Sequence, residues 1–304
     1  MKEKEDYWDN KLRGTVMYHS IKEIFNKINH IPYAIVKGEP LSMMAYGMPG
    51  CRNSRDIDIL VHRENLYLIE GLLTHAGYFA SANNYNIRGN RLVYLCVSHQ
   101  LPQYHNATKS VFVDLNFDVF WGEYDGKRID INDFLSDTIE MNIHGVKVKT
   151  LSPIKMLLHL ILHHYRDMNS IFLLATRNSI NKNMFKDVFN LLMNNMDVIS
   201  IKDLLSISEK YDIVPYAYYV LYYTNKVYCD RILEKYVQAF RTKDGEKLLN
   251  CYGLCTEERK IWKYDFETRL ESEDLYSLIE ADLNDKDHQK ISINKGLFGG
   301  GNDV

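Results

Sequence analysis

Asp56-Ile57-Asp58 sets two carboxylates two residues apart inside an apolar run, DIDILV over 56–61. Side chains at i and i+2 of a strand share a face, so both acids point one way while Ile57 and Ile59 point the other. Two like charges that close repel unless one is protonated or a cation sits between them. Hard divalent ions with oxygen ligands do this. A third carboxylate lies in VFVDLNFDVFW, 111–121, where Val111, Val113, Leu115, Phe117 and Val119 form one apolar face and Asp114, Asn116 and Asp118 lie on the other. Pairing that strand beside 56–61 lets Asp114 join Asp56 and Asp58 around two ions about 3.5–4 Å apart, the apparatus for in-line attack at phosphorus. Asp118 is the alternative third ligand; Asp114 is preferred because it sits deeper in the apolar run.

The phosphate side is carried by Lys37-Gly38, which follows the short strand Tyr33–Val36. A glycine between a strand and a helix lets backbone N–H groups approach an anion closely. Arg52 and Arg55 add positive charge just ahead of the acidic pair.

The elements that must position these residues follow from periodicity. Residues 7–29 read as an amphipathic helix, with Val16, Ile21, Ile24, Phe25 and Ile28 on its apolar face, ended by Ile31-Pro32. Pro40 fits the first turn of a short helix that stops near Gly47. Glu64–His75 is a helix with Gly77 at its stop. Arg91–Val97 and Val111–Trp121 read as strands, and Ile139–Thr150 as a hairpin turned by His144-Gly145. After Leu151 helices dominate, at 152–168, 183–196, 201–211, 214–226, 228–242, 245–251 and 256–283. From about 286 the chain carries a glycine triplet and little periodicity, the pattern of a mobile tail. The expected organisation is an N-terminal helix packed on the core (1–30), a mixed-sheet catalytic domain (31–150), a helical domain (151–285) and a tail (286–304), an α+β fold.

Composition narrows the classes. No apolar run reaches the roughly 18 residues of a membrane span, and the charged start MKEKEDYWDNK lacks the apolar core of a signal peptide. The expected location is the cytoplasm. Five cysteines, an odd and small number, argue against a disulfide framework, and the lone Cys251-x3-Cys255 reads as ordinary buried thiols. A net charge of −3 excludes a bulk polyanion binder. Between 256 and 285, ten acidic residues stand against four basic ones, a solvated face and not a nucleic-acid clamp. The 22 tyrosines read as amphipathic residues at core edges. His159 and His163 share a helix face at a spacing that can bind zinc, but no third ligand is evident. They read as lining the contact of that helix with the catalytic sheet, with His163 touching substrate.

These motifs together resemble the DNA-polymerase-β-like nucleotidyltransferases: a strand, a Gly-containing turn and helix, a strand with Asp-x-Asp, and a later strand with a third Asp. Within that superfamily the chain is most similar to a bacterial nucleotidyltransferase family with an LKG…L…Y…R…DIDILV core. The matching residues are VKG (36–38), Leu41, Tyr46, Arg52, DIDILV (56–61), VDLN (113–116) and LHLILHH (158–164), so the resemblance covers about 30–165. Two positions depart. The usual Gly-Ser turn is Gly38-Glu39, and Asn116 stands where the family has histidine. The resemblance implies two Mg²⁺ ions on Asp56, Asp58 and Asp114, with Asp114 serving the acceptor side. It also implies an NTP, ATP foremost, contacted by Lys37, Gly38, Arg52, Arg55, Asn116 and His163. NMP passes to a hydroxyl of a small molecule, peptide or protein, and pyrophosphate leaves. A modified peptide is one such acceptor. A tRNA-end-modifying toxin and a silent binding scaffold are the competing readings; the modest negative charge opposes the first and three retained carboxylates oppose the second.

Overall fold

The computed structural model describes residues 2–80, 94–96, 98–120 and 127–298. A seven-stranded mixed sheet is built from β1 (Tyr33–Val36), β2 (Asp56–Val61), β3 (Phe79–Ala80), β4 (Tyr104–Asn106), β5 (Val111–Asn116), β6 (Ile139–Ile143) and β7 (Val146–Thr150). Its order is β3-β4-β5-β2-β1-β7-β6. The β2–β5 and β1–β7 pairs are parallel and the others antiparallel. Strand β2 lies at the centre and is buried from Ile57 to Val61, so an acid on it is isolated from water. The β6–β7 hairpin turns at His144 (φ 50°) and Gly145 (φ 80°), the two positive φ values of a tight hairpin turn.

Helix α1 (Lys2–Ile28) lays Met17, Tyr18, Ile21, Ile24, Phe25 and Ile28 into the core. Val16, expected on that face, is exposed with Trp8 and Leu12, because the buried stripe is carried by Met17 and Tyr18 instead. Gly14 of α1 lies against Glu39 and His144. A Cβ there would stand 2.3 Å from Glu39 Oε1 and 2.6 Å from His144 Nε2. Helix propensity alone favours alanine by about 1 kcal/mol, but overpacking a buried polar contact costs about 1–3 kcal/mol. Gly14→Ala is therefore expected to destabilise the protein, read as a lower denaturant midpoint; a higher midpoint would mean α1 docks differently.

Helix α2 (Gly38–Tyr46) follows β1 directly and ends at Gly47, whose φ of 79° accepts the left-handed cap. Helix α3 (Leu66–His75) follows β2 and buries Leu66, Ile69 and Leu73. The short helix α4 (Ile131–Phe134) precedes the hairpin and is capped by Asp130. Strand β5 ends at Asn116, short of the expected Trp121, which lies outside the described residues. Of the strand expected over 91–97, residues 94–96 are helical and the rest is outside the described residues.

Two compact units divide the chain. The first holds the sheet and α1–α4, and continues through Arg128–Leu160 and Asn190–Ser200. Its edge falls ten residues past the boundary expected near 150, inside α5 (Pro153–Asn169). The second unit is helical: the end of α5, α6 (Ile171–Thr176), most of α7 (Asn183–Met193), α8 (Ile201–Lys210), α9 (Val214–Tyr228), α10 (Arg231–Phe240) and α11 (Lys243–Leu249). Its core is aromatic. Tyr165 meets the rings of Tyr216 and Tyr219 at 4.6 and 5.2 Å, and the buried Arg269 guanidinium lies 4.8 Å from the Trp262 ring while donating to Tyr223 Oη at 2.9 Å.

Two expectations for this unit are corrected. The single helix expected over 256–283 is absent. In its place are the small hairpin β8 (Cys251–Tyr252) and β9 (Lys260–Ile261) and the short helices α12 (Phe266–Glu271) and α13 (Leu275–Ile279). Asp265 and Asp274 each cap a new helix start, which breaks the long one in two. Residues 285–298, expected as aperiodic tail, form helix α14 (Asp285–Phe298).

Candidate active site

Parallel pairing of β2 with β5 sets Asp58 directly beside Asp114, with Ile57 opposite Val113 and Asp56 opposite Phe112. Asp58 and Asp114 are buried and Asp56 half-buried. Burial and the neighbouring carboxylates depress the ionisation of Asp56 and Asp114. Burial, then Asp58, push the Asp56 carboxyl up to about 6, against the pull of Lys37 and Arg52. Burial, then Asp58 and Asp56, hold Asp114 well above the usual carboxylate range. Asp114 Oδ1 is buried with no hydrogen-bond partner. A buried, partnerless carboxylate oxygen beside two more acids is the donor set a hard divalent cation needs.

Asp118 does not share this cluster. Its side chain accepts the N–H groups of Val119 and Phe120 at 2.8 and 3.1 Å and faces Arg63 and Arg128 at 3.7 and 3.6 Å. Since β5 ends at Asn116, the alternation that placed Asp118 on the face of Asp114 no longer holds past that residue.

Lys37 and Gly38 make the turn between β1 and α2 with φ values of 62° and 49°. Gly38 is required on two counts, a left-handed backbone and a Cβ position 3.2 Å from Ser54 Oγ. Lys37 Nζ turns back to Asp58 Oδ1 at 3.2 Å. Asn116 Nδ2 reaches the same oxygen at 3.3 Å, so this amide is committed to a carboxylate. Arg52 is half-buried and close enough to lower Asp56; Arg55 is exposed on the same loop.

The roles of three supporting residues escaped the sequence reading. Ser54 donates to Asp56 O at 3.1 Å and fixes the start of β2; its i, i+2 spacing to an aspartate was the available signal. Gln103 hydrogen-bonds the Asp114 carboxylate. Glu39 is a buried brace. Its Oε2 accepts the Gly50 N–H at 2.7 Å and its Oε1 faces His144 Nε2 at 3.6 Å. Thus Glu39 ties the loop carrying Arg52 to the N-terminus of α2. Glu39→Ser, which supplies the serine of the Gly-Ser turn that the motif resembles, strands the Gly50 N–H. The expected cost is about 1–3 kcal/mol in chemical denaturation; an unchanged denaturant midpoint would show that Glu39 does not brace the loop.

His163 lies in the second unit. Its Nδ1 meets an Arg166 nitrogen at 2.8 Å, and its Nε2 is 3.4 Å from Asp167 Oδ2. Asp167 is also bound by Arg166 at 2.8 Å and Arg177 at 3.0 Å, and these guanidiniums hold its carboxyl far below the usual range against its burial. His163, His164 and Asp167 are close enough to converge on a metal, but a cation would have to displace two arginines, so this is an ion-pair network and no zinc site. His159 is buried in the first unit. Cys251 and Cys255 are free and half-buried.

The family described as uncharacterised nucleotidyltransferase matches residues 2–228. The chain belongs to that family. No curated protein matches it. Among solved structures, an antigenic nucleotidyltransferase-like protein from Paracoccidioides brasiliensis matches 73% of this chain and 92% of its own at 16% identity, with a TM-score of 0.39. That likeness is too distant to carry an argument. No helix among the described residues is long and apolar enough to cross a membrane.

Proposed function

We propose that this member of the nucleotidyltransferases transfers NMP from an NTP, ATP foremost, to a hydroxyl on a small molecule, peptide or protein in a Mg²⁺-dependent reaction. The observation that carries the reading is the in-register pair Asp58–Asp114 with Asp56 beside it and Asp114 Oδ1 buried without a partner. Asp56, Asp58 and Asp114 would hold Mg²⁺, which when bound neutralises the triphosphate and lowers the pKa of the attacking hydroxyl. The backbone N–H groups at the start of α2, opened by Gly38, and the positive charge of Lys37 and Arg52 orient the triphosphate. The acceptor oxygen forms a bond to the α-phosphorus, the bond to the bridging oxygen breaks, and pyrophosphate leaves. The acidic cluster takes up the hydroxyl proton.

Incubation with NTPs labelled at the α or the γ phosphate, with Mg²⁺ and panels of peptides, small molecules and bulk tRNA, tests this. Label from the α position on a peptide or small molecule supports the reading. Transfer of the γ label refutes nucleotidyl transfer, and α label confined to tRNA refutes the acceptor class.

A further inference from the structure

Asp58 lies in register with Asp114, and Lys37 Nζ reaches Asp58 Oδ1 at 3.2 Å. Lys37 and Arg52 already offset part of the negative charge of the cluster. Each further cation taken up by the protein alone meets that positive charge, at a cost that grows in a buried setting.

The hydrogen bonding limits the available ligand atoms as well. Asp58 Oδ1 carries both Lys37 Nζ and Asn116 Nδ2, at 3.2 and 3.3 Å. A carboxylate oxygen with two donors on it has its lone pairs in use, so Asp58 has only Oδ2 left to offer a cation. Asp114 Oδ1, buried and without a partner, is the complementary vacancy in the donor count on the neighbouring strand. Lys37 is not a freely swinging side chain here. Its backbone is set at φ 62° and ψ −146° by the turn into α2, and its side chain is mostly buried.

We propose that Lys37 serves as a built-in second cation: together with Asn116 it occupies Asp58 Oδ1, so that the nucleotide-free protein takes one divalent ion, held by Asp58 Oδ2 and Asp114. Any second ion has to arrive with the triphosphate, whose oxygens supply the ligands that Lys37 withholds. This rests on the nucleotidyl-transfer reading and adds to it a metal stoichiometry and a division of labour. Lys37 and Asn116 are positioning residues for Asp58, and Asn116 is thereby moved from the nucleotide to the metal side of the site.

Mn²⁺ titration of the full chain without nucleotide, followed by calorimetry and by the loss of the free-ion paramagnetic signal, tests the proposal. Wild type is expected to bind one ion. Lys37→Met is expected to bind two, the first at least about tenfold tighter because a neighbouring positive charge is gone. Lys37→Arg, which keeps the charge, is expected to bind one. Asn116→Ala is expected to weaken the single ion, because Asp58 loses a donor that orients it. Two ions on the wild type, or one ion of unchanged affinity on Lys37→Met, would overturn the role of Lys37. The wild-type stoichiometry is decisive even if Lys37→Met does not fold. Failure of the wild type to bind any ion, with or without nucleotide, would overturn the nucleotidyl-transfer reading as well.

Discussion

Asp114→Asn is expected to cut nucleotidyl transfer by about a hundredfold to a thousandfold or more, while leaving the metal-free protein as stable as wild type or more so. The two effects have one cause. Asp114 is a buried carboxylate whose Oδ1 has no partner and whose charge is opposed by Asp58 and Asp56. An amide of the same shape removes the like-charge repulsion and can donate toward Asp58. It also removes an anionic metal ligand. Asp118→Asn is the matched control, because Asp118 braces the end of β5 through two backbone N–H groups and two arginines. It keeps an oxygen for both N–H groups and is expected to leave the melting temperature near that of wild type and to spare most of the transfer rate. Steady-state rates and thermal unfolding in chelator check both variants. Near-normal transfer by Asp114→Asn, or its loss with Asp118→Asn alone, would assign the third carboxylate wrongly.

The second expectation concerns pH. The Asp56 carboxyl is raised from 3.8 to about 6, and Asp114 and Asp118 are raised in the same direction. In the unfolded chain these groups lose their protons near the ordinary value, while the folded chain holds them longer. Between the two the unfolded state binds fewer protons, so stability falls as pH rises. For Asp56 the favourable contribution is complete below 3.8 and lost once pH passes about 6. Metal-free protein is therefore expected to melt at progressively lower temperature across that window. Mg²⁺ or Mn²⁺ is expected to restore several degrees above about pH 6 and little below pH 4, since only ionised carboxylates bind it. Paired melting curves in chelator and in Mg²⁺ read this out. The same curves from Asp56→Asn should lose the part of the slope that ends near 6. A metal-induced gain that is flat with pH would mean the ion binds elsewhere.

Much of the site's location was legible in the chain. The period of two in DIDILV put Asp56 and Asp58 on one face wherever the strand went. Lys37-Gly38 between an apolar strand and a proline-started helix specified the turn. The hairpin at His144-Gly145 and the helices of α1, α5 and α8–α10 followed from local period and stops. Where neighbouring residues decide conformation, local pattern suffices. It failed over 256–283, where the aspartate caps at 265 and 274 interrupt what periodicity alone joined.

The tertiary structure decided what depends on residues far apart in the chain. The parallel register of β2 and β5 set Asp114, and not Asp118, beside Asp58, because register is set by packing across strands and a change of one residue would turn the acids to the other face. Asn116 acquired Asp58 as its partner across 58 residues, and His163 was drawn into the Arg166–Asp167–Arg177 network. The most instructive case is Glu39. In the sequence it is only the wrong residue after Gly38. In the fold it holds Gly50 and faces His144 where α1 leaves room at Gly14, because burying a carboxylate demands partners that no short window of sequence contains.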